Sequence, residues 1–390
     1  MLSKEMNERL TRVGPGTPGG ELLRRYWQPL CPAAELTDER PRKRLTVMGE
    51  NLIVMKTPDG NYACIEEFCK HRRASLYYGF IEEDGIRCCY HGWKYDFSGQ
   101  CIETPFVPEE NKFREGIRLK AYPVRRLGGL LFTYMGPDAT KAPLLPRWDV
   151  LVREDGNRVI QILPIHACNW LQVQENTADS IHTAFLHGMM NDVHGLKLEG
   201  AEYYLRPIKR LDWSTCEWGV DKVIEYGGDK PEVEIRPPLI FPNVLRIPQG
   251  PVECIHWRVP VDDTHTRIIW IGLIPQKFGG KPMKEEVNPP FEYLPQPFDE
   301  NGEYKLDSFY FQDQMVMEMQ GPVFDRSKET LSITDRGIVM FRNMLAEQID
   351  IVEKGGEPTV AVVRDPAKNK MIEFADATAP GGSVALSFVR

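Results

Sequence analysis

The chain of 390 residues has no apolar run close to the ~18 residues that a membrane-spanning helix needs. It also lacks a basic excess: the formal net charge of −8 argues against nucleic acid or an anionic membrane as the main partner. Its first residues, MLSKEMNERL, show neither the apolar core of a signal peptide nor an Arg-rich transit helix. We therefore expect a cytoplasmic globular protein that binds neither a membrane nor nucleic acid.

Cysteine is sparse, and the nine cysteines are an odd number spread thinly along the chain. This pattern is typical of reduced thiols, some of them metal ligands, rather than of a disulfide framework. The sequence has no Gly-rich dinucleotide fingerprint after a predicted strand, and no C-x-x-C follows Cys64 and Cys69 as a plant-type ferredoxin requires. We therefore expect any oxidation of NAD(P)H to occur on a separate protein.

The first two regions differ in their hydrophobic pattern. Residues 1–40 are predicted to form a helical arm, because Ser3 can cap a short helix and a Gly- and Pro-rich segment at 14–20 separates it from a second one. Residues 41–145 contain short runs with a period of two and the turn signal Asp59-Gly60. They predict a small antiparallel β domain.

The third region, residues 146–390, mixes long β-like runs with helical stretches. Apolar residues recur on one stripe from Ile338 to Val352 and predict an amphipathic helix that stops at Gly355-Gly356. A helix-like stretch also covers residues 307–320. The sequence thus predicts an α+β protein in which a β domain precedes a larger domain with an antiparallel sheet.

Two short segments each offer one cysteine and one histidine: Cys69 with His71, and Cys88 with His91. Each lies at the end of a predicted strand, so two hairpin tips can face each other. A zinc finger supplies its cysteines as one pair and its histidines as another. Here opposed tips can instead place both cysteines on one metal and both histidines on its neighbour, as a Rieske [2Fe–2S] cluster requires. A Cys₂His₂ zinc site remains the alternative.

A second cluster of metal-ligating residue types lies downstream and contains no cysteine. On an ideal helix Glu175, Asp179 and His182 share one face. His182 and His187 are five residues apart, so their imidazoles converge only if the helix distorts or ends, for which Gly188 offers a place. This spacing disfavours a zinc protease and favours two ligands of a non-haem Fe(II) triad, with a carboxylate from elsewhere.

Nearly the whole chain resembles the oxygenase subunit of Rieske non-haem iron oxygenases, in the branch similar to phthalate dioxygenase. The resemblance lies in the opening segments 10–18 and 23–27 and in the C-x-H and C-x-x-H-G-W motifs, the second of which ends at Trp93. Cys89 stands where that family usually has proline. The resemblance implies a β-sandwich Rieske domain, followed by a catalytic domain whose antiparallel sheet is covered by helices.

The resemblance also implies site residues. The cluster ligands are then Cys69, His71, Cys88 and His91, and the mononuclear iron ligands are His182, His187 and Asp313. Asp313 matches the segment that carries the family's carboxylate ligand, while Glu318, Asp307 and Asp325 remain rivals. The resemblance further implies that subunits assemble as a homotrimer or hexamer, in which Asp179 bridges His91 of one subunit to His182 of its neighbour.

The implied activity is hydroxylation, cis-dihydroxylation or oxidative O-demethylation of an aromatic compound that is expected to carry a carboxylate. The reaction uses O₂ and electrons that a separate NAD(P)H reductase delivers, with or without a ferredoxin. Arg206, Arg246 and Ser180 are the candidate substrate-binding residues. Two alternatives are a Rieske electron carrier with a non-catalytic second domain and an inactive binder of aromatic ligands.

Overall fold

The computed structural model describes residues 2–108, 112–227, 232–249 and 252–374. Two short helices open the chain, α1 (Lys4–Thr11) and α2 (Pro18–Leu23), and the Ser3 hydroxyl caps the first of them as predicted. The chain then enters strand β1 (Gln28–Pro32), which pairs with a strand of the next region. The helical part of the predicted arm therefore ends before residue 28.

The β domain consists of short antiparallel strands. They are β2 (Arg42–Val47), β3 (Glu50–Lys56), β4 (Tyr62–Glu66), β5 (Phe80–Glu82), β6 (Gly85–Arg87), β7 (Lys94–Asp96), β8 (Cys101–Glu103), β9 (Ala121–Tyr122), β10 (Val124–Leu127) and β11 (Leu130–Thr133). They form three sheets with the orders β2-β3-β4-β9, β5-β6-β7-β8 and β1-β11-β10. Ile53 and Ile65 of the first sheet share one apolar cluster with Ile86 and Tyr95 of the second. This packing brings the loops after β4 and β6 to the same end of the domain.

One large sheet dominates the second domain. Its strands are β12 (Gly156–Ile162), β13 (Ile208–Cys216), β14 (Gly219–Tyr226), β15 (Glu232–Ile240), β16 (Val244–Gln249), β17 (Val252–Pro260), β18 (Thr266–Pro275) and β19 (Phe291–Tyr293). The strand order is β13-β14-β15-β16-β17-β18-β12-β19, and each neighbouring pair is antiparallel except β12 with β19. The predicted α+β class, with an antiparallel sheet in the second domain, is confirmed.

The second domain also contains helices. They are α3 (Asp149–Val152), α4 (Trp170–Ala178), α5 (Met190–Val193), α6 (Ala201–Tyr204), α7 (Phe309–Met319) and α8 (Arg336–Glu353). The predicted stripe of α8 is confirmed, because Phe341, Leu345, Ile349 and Val352 are all buried. No helix in the described part of the chain combines the length and the apolar character needed to cross a bilayer.

On strands β17 and β18, the two faces of the sheet belong to different apolar clusters. There, Ile255 and Ile271 point towards one cluster, which also includes residues of β11 and α3. Cys254 and Trp270 point towards the other, which includes Val173 of α4 and Met317 of α7. Because side chains alternate along a strand, neighbouring residues of β17 serve opposite faces. The space between the sheet and helices α4 and α7 contains the second candidate site.

Candidate functional site

The two loops that carry cysteine and histidine in the β domain have the same backbone design. In each, the N–H of the fourth residue after the cysteine donates to the cysteine carbonyl: Arg73 to Cys69 and Gly92 to Cys88, both at 3.0 Å. Both turning residues have positive φ, 60° at Arg73 and 73° at Gly92. Glycine suits this conformation, and an added Cβ at position 92 would lie only 3.0 Å from Pro105 Cγ. Matching turns therefore present the two cysteines in equivalent positions.

The thiols are buried and the imidazoles are exposed. Cys69 and Cys88 are 1% and 3% exposed, whereas His71 and His91 both lie at the surface. The two imidazole rings are close, with centroids 4.5 Å apart and nearly perpendicular planes. Trp93 stacks on His71 at 4.5 Å. A metal group held here would meet the protein core on its sulfur side and solvent, or a partner, on its imidazole side.

Tyr95 supports the first loop, although its role is not evident from the motif. Its hydroxyl accepts a hydrogen bond from the Lys70 backbone N–H at 3.1 Å and lies 3.2 Å from Cys69 Sγ. Since the oxygen already accepts from Lys70, its O–H is free to donate to the sulfur. Hydrogen bonds to cysteine sulfur stabilise the reduced form of an iron–sulfur cluster and raise its potential.

The donor set of the loops suits two metals better than one. In the described residues, only His182, His187 and Asp313 form a group of three or more His, Cys, Asp or Glu whose ligand atoms all lie within 4.8 Å of one another. The two loops form no such group, although a tetrahedral Zn²⁺ site requires one. Cys89 is exposed, while Cys88 points into the core. The two buried thiols and the two adjacent, exposed imidazoles are the ligand pairs that a two-iron cluster with mixed ligands requires.

The second site begins where α4 ends. Ala178 is the last residue of α4, and Asp179 caps it with an extended backbone (φ −86°, ψ 127°). The expectation that Glu175, Asp179 and His182 share one helix face is therefore wrong, because the helix stops between the first and the second. Glu175 instead stays inside the helix, where its carboxylate binds Arg326 and Arg342.

A segment of π-helix, Thr183–Met189, brings the two histidines together. Its hydrogen bonds run from residue i+5 to residue i, as from the Met190 N–H to the Phe185 carbonyl, so residues five apart lie on nearly the same side. The imidazole centroids of His182 and His187 are 5.4 Å apart. The predicted distortion is thus a widening of the helix, which does not end at Gly188.

Asp313 of α7 completes the group. Its Oδ1 lies 3.6 Å from Nε2 of His182 and 3.3 Å from Nε2 of His187. The Nδ1 atoms point outward: that of His187 lies 2.9 Å from Gln312 Oε1, and that of His182 lies 3.6 Å from Asp179 Oδ2. An amide oxygen can only accept, so His187 Nδ1 carries the proton and the neutral ring offers the Nε2 lone pair. These donors form the two-histidine, one-carboxylate set typical of non-haem Fe(II) sites.

The charges in this group are strongly coupled. Burial alone would raise the pKa of Asp313, but the His187 and His182 imidazoles, together with the Asn176 amide, lower it to about 2. Burial likewise opposes the charged form of His187, yet the facing Asp313 carboxylate raises its pKa. The carboxylate is therefore ionised at neutral pH and available to a metal.

The three rival carboxylates lie elsewhere. Glu318 accepts hydrogen bonds from the Ala167 N–H and the Gln314 amide, both at 2.8 Å. Asp325 accepts from the Ser327 hydroxyl within its own turn. Asp307 is exposed. None of the three joins the histidine pair.

Glu175 has a structural role. Its carboxylate accepts hydrogen bonds from the guanidinium of Arg326 at 2.7–3.0 Å and of Arg342 at 2.6 Å. All three residues are buried, and Glu329 pairs with the second arginine. The network joins α4 to α8 and to the segment after α7, and so holds the elements that carry the histidines and Asp313.

A cavity of about 190 Å³ adjoins His182, His187 and Asp313. Its walls are mostly apolar and include Val159, Leu163, Val173, Leu245, Ile268 and Trp270. Ser180, one of the predicted substrate residues, is only 1% exposed and borders the cavity. The donor set therefore faces a space in which an apolar ring can lie.

Arg206 does not border this cavity. Its guanidinium lies over the rings of Tyr203 and Tyr226, 3.9 and 3.8 Å from their centroids. Its Nε also donates to the Tyr203 carbonyl at 3.2 Å. The structure thus places the side chain in a stack of aromatic rings outside the cavity wall.

Arg246 borders the cavity, but its charge is directed elsewhere. It lies opposite Ile255 in the sheet, and Ile255 points to the face away from the cavity. Its guanidinium donates to Asp149 at 2.9 Å and to Glu253 at 2.8 Å. Two carboxylates already compensate this cation, which differs from the predicted role as a substrate anchor.

Sequence reasoning missed His256, Arg258 and Gln312. His256 and Arg258 occupy alternate positions of β17 and both border the cavity. Two polar side chains at alternate positions of a mainly apolar run were the available signal. Gln312 gave no signal apart from its position beside Asp313.

Comparisons with known proteins agree over most of the chain. The family described as "Rieske [2Fe-2S] domain" matches residues 26–123. The 5,5'-dehydrodivanillate O-demethylase oxygenase subunit of Sphingobium sp. strain SYK-6 is 37% identical over 386 residues, which cover 95% of this chain and 86% of that one. The phenoxybenzoate dioxygenase subunit alpha of Ectopseudomonas oleovorans is 34% identical, covering 90% and 86%.

A solved structure supports the same fold. The terminal oxygenase of carbazole 1,9a-dioxygenase from Novosphingobium sp. KA1 superposes with a TM-score of 0.58 at 20% identity, covering 88% of this chain and 98% of that one. At this identity the likeness concerns the fold alone. Both domains described above are therefore included in the aligned length.

Proposed function

Because the chain belongs to the Rieske non-haem iron oxygenases, as an oxygenase (alpha) subunit, we propose that it hydroxylates or oxidatively O-demethylates an aromatic carboxylate. The observation that carries this proposal is that His182, His187 and Asp313 lie together at the wall of an apolar cavity. An electron carrier with an idle second domain has no need of that arrangement. An inactive binder has no need of the ligand set.

We assign the cluster ligands to Cys69, His71, Cys88 and His91, and the mononuclear iron ligands to His182, His187 and Asp313. When bound, the cluster passes single electrons and the iron supplies the chemistry of O₂. The protein's part is to hold these ligands in place. Gln312 fixes the His187 ring, Asp313 contributes the negative charge, and the apolar walls exclude water from the substrate ring.

The names of the relatives guide the choice of substrates. One relative is named for O-demethylation of 5,5'-dehydrodivanillate and another for dioxygenation of phenoxybenzoate. The first compounds to test are therefore methoxylated benzoates and biaryl acids, followed by phthalates. The mainly apolar walls of the cavity suit such rings.

The decisive experiment is turnover with the purified protein, O₂, NAD(P)H and a partner reductase, followed by mass analysis of the products. We expect an added hydroxyl, or loss of a methyl group as formaldehyde, from at least one panel compound. Asp313→Ala should abolish product formation and serves as the matched control. Equal product from that variant, or no product from any panel compound, would contradict the proposal.

We also propose that the active assembly is a homotrimer or hexamer, in which Asp179 joins the two metal centres of neighbouring subunits. The Asp179 carboxylate is 30% exposed and lies 3.6 Å from His182 Nδ1. No hydrogen bond joins it to His91 among the described residues of one chain, and His91 is exposed. An open groove beside Asp179 and His182 includes Phe185 in its wall, a half-exposed apolar side chain that a neighbour can cover.

Two measurements test this assembly. Sedimentation should give three or six chains per particle. In Asp179→Asn, both metals should stay bound while single-turnover oxidation of the reduced cluster slows sharply, because the bridging carboxylate charge is lost. A monomer with full turnover, or rapid cluster oxidation in the variant, would contradict the bridge.

A separate reductase, with or without a ferredoxin, and a cytoplasmic location complete the proposal. The sequence has no dinucleotide-binding fingerprint of its own. All nine cysteines are described and none forms a disulfide, which fits a reducing compartment.

A further inference from the structure

Arg258 is a buried cation at the cavity wall. It lies on β17, two residues beyond His256, and the alternation of the strand turns both side chains towards helix α4 and the cavity. The side chain is 5% exposed. Its cross-strand neighbour on β18 is apolar, since Ile268 pairs with Arg258 in the register of β17 and β18.

The charge of Arg258 has little compensation among the described residues. No carboxylate oxygen in that part of the chain lies within the 4.0 Å of an ion pair with its guanidinium, and Nε has no hydrogen-bond partner. The single hydrogen bond of the side chain runs from Nη1 to Gln174 Oε1 at 3.3 Å. A guanidinium carries five N–H groups, so most of its donor capacity is unused. Burying such a cation is costly unless a partner arrives.

The electrostatic surroundings point the same way. Burial lowers the pKa of Arg258 to about 9. The charge that most opposes this lowering is that of Asp313, whose carboxylate also faces the imidazoles of His182 and His187. Even so, the guanidinium remains charged at neutral pH. When a divalent ion occupies the histidine–carboxylate set, the Asp313 charge is taken up and the cavity becomes more positive. An anionic group on the ligand supplies the missing compensation.

Other cations near the cavity are less suited to this role. The guanidinium of Arg246 serves Asp149 and Glu253 on the opposite face of the sheet. Lys222 borders the cavity with its ammonium 5.3 Å from the centre of the Trp213 ring, and it is only partly buried. Among these residues, Arg258 combines burial, a place on the wall and unused donors.

We propose that Arg258 is the specificity-determining residue that binds the carboxylate of the substrate inside the cavity, an inference that rests on the proposed oxygenase function. Gln174 holds the guanidinium by one hydrogen bond and leaves its remaining N–H groups to the ligand. The substrate is then an aromatic carboxylate whose ring lies against the apolar walls. One end is fixed at β17, and the ring is presented to His182, His187 and Asp313.

The test compares binding of matched ligands to the metal-loaded protein by calorimetry. Each carboxylate of the panel of methoxybenzoates, phthalates and biaryl acids is paired with its neutral carboxamide. Wild type should bind at least one carboxylate about tenfold or more tightly than its amide. Arg258→Met should weaken carboxylate binding by at least about tenfold and amide binding by less than about threefold. Arg258→Lys should recover part of the difference, because it restores charge without the planar fork.

Arg206→Met is the matched control, since this arginine lies outside the cavity wall. It should keep the preference of wild type for carboxylates. The inference is overturned if Arg258→Met keeps that preference, if Lys222→Met alone abolishes it, or if no panel carboxylate binds. Iron analysis and circular dichroism establish that each variant is folded and loaded.

Binding and turnover also separate this inference from the function on which it rests. If the protein prefers carboxylates through Arg258 but shows no turnover, the oxygenase function is contradicted. The binding role of Arg258 is then retained. Turnover together with a carboxylate preference in Arg258→Met would support the function and overturn the inference.

Discussion

The two candidate metal centres are built in opposite ways. Cys69, His71, Cys88 and His91 come from two loops close in sequence, and each loop is closed by its own backbone hydrogen bonds. The second centre combines a π-helix with Asp313, which lies more than a hundred residues further along the chain. The first depends on local turns, and the second depends on how whole helices pack against the sheet.

Their exposure differs as well. The imidazoles of the first centre lie at the surface, whereas His187 is 5% exposed and its group adjoins a cavity. A surface imidazole suits electron exchange with another protein or subunit. A buried group beside a cavity suits chemistry on a bound substrate, because water is kept away. Burial, as much as ligand type, therefore distinguishes a centre suited to electron exchange from one suited to chemistry on a substrate.

Replacing Asp313 tests the second centre most severely. We expect Asp313→Ala to lose the mononuclear iron and all turnover while the cluster keeps its iron and sulfide, because two neutral imidazoles alone hold Fe(II) weakly. Metal analysis and the visible spectrum of the cluster report the two effects separately. Asp325→Ala, at a carboxylate held within its own turn, is the control and should keep both metals. If Asp313→Ala retains the mononuclear iron, the carboxylate ligand is another residue.

Replacing one cysteine tests the first centre in the converse way. Cys88→Ser should lose the cluster, its sulfide and its visible absorption, yet keep the mononuclear iron. The neighbouring Cys89 is exposed, so Cys89→Ser should keep the full spectrum. If Cys89→Ser loses the cluster and Cys88→Ser keeps it, the ligand is Cys89 and not Cys88.

The buried network around Glu175 should affect stability more than chemistry. Glu175→Gln leaves Arg326 without a charge partner and Arg342 with Glu329 alone, and we expect a loss of about 3–5 kcal/mol in the free energy of unfolding. Glu154→Gln removes an exposed pair and should cost less than about 1 kcal/mol. Urea titration of each variant measures both values. Equal losses would show that the network does not stabilise the domain.

The same network gives a prediction for pH. The two arginines outweigh the effect of burial and lower the pKa of Glu175. A carboxylate whose pKa is lower in the folded state contributes its stability above the unfolded value, about 4.3, and loses it on further acidification. The difference in the free energy of unfolding between wild type and Glu175→Gln should therefore be largest at pH 6–7 and decrease below about pH 4.3. If the difference in the free energy of unfolding does not change with pH, the ion-pair explanation is contradicted.

The smallest effect is expected at Gln312. Gln312→Leu removes the acceptor of His187 Nδ1 and should weaken iron binding by about 10–100-fold without displacing a ligand. Competition with a chelator measures this affinity. Gln314→Leu, on the same helix but hydrogen-bonded to Glu318, should leave it unchanged. If both variants bind iron like wild type, the ring of His187 needs no such support.

The contrast between the centres also explains what the sequence could predict. The cysteine–histidine loops are local, so their spacing indicated a two-metal cluster without knowledge of the fold. The α+β class and the stripe of α8 followed from periodicity and are confirmed. The five-residue separation of His182 and His187 required a distorted helix but did not identify it as a π-helix.

Long-range packing accounts for what the sequence could not predict. The end of α4 separates Glu175 from Asp179, and the two arginines that bind Glu175 lie 151 and 167 residues away in sequence. Whether Arg246 or Arg258 faces the cavity depends on the parity of two paired strands, which composition does not reveal. Stacking on two tyrosine rings likewise decides the position of Arg206.

The most direct test of two unlike iron centres is metal and acid-labile sulfide analysis of the anaerobically purified protein, together with electron paramagnetic resonance of the reduced cluster. We predict about three irons for every two sulfides, no zinc, and the resonance of a reduced [2Fe–2S] cluster with mixed cysteine and histidine ligands. About two irons for every two sulfides would remove the mononuclear site. Zinc without sulfide would contradict both centres.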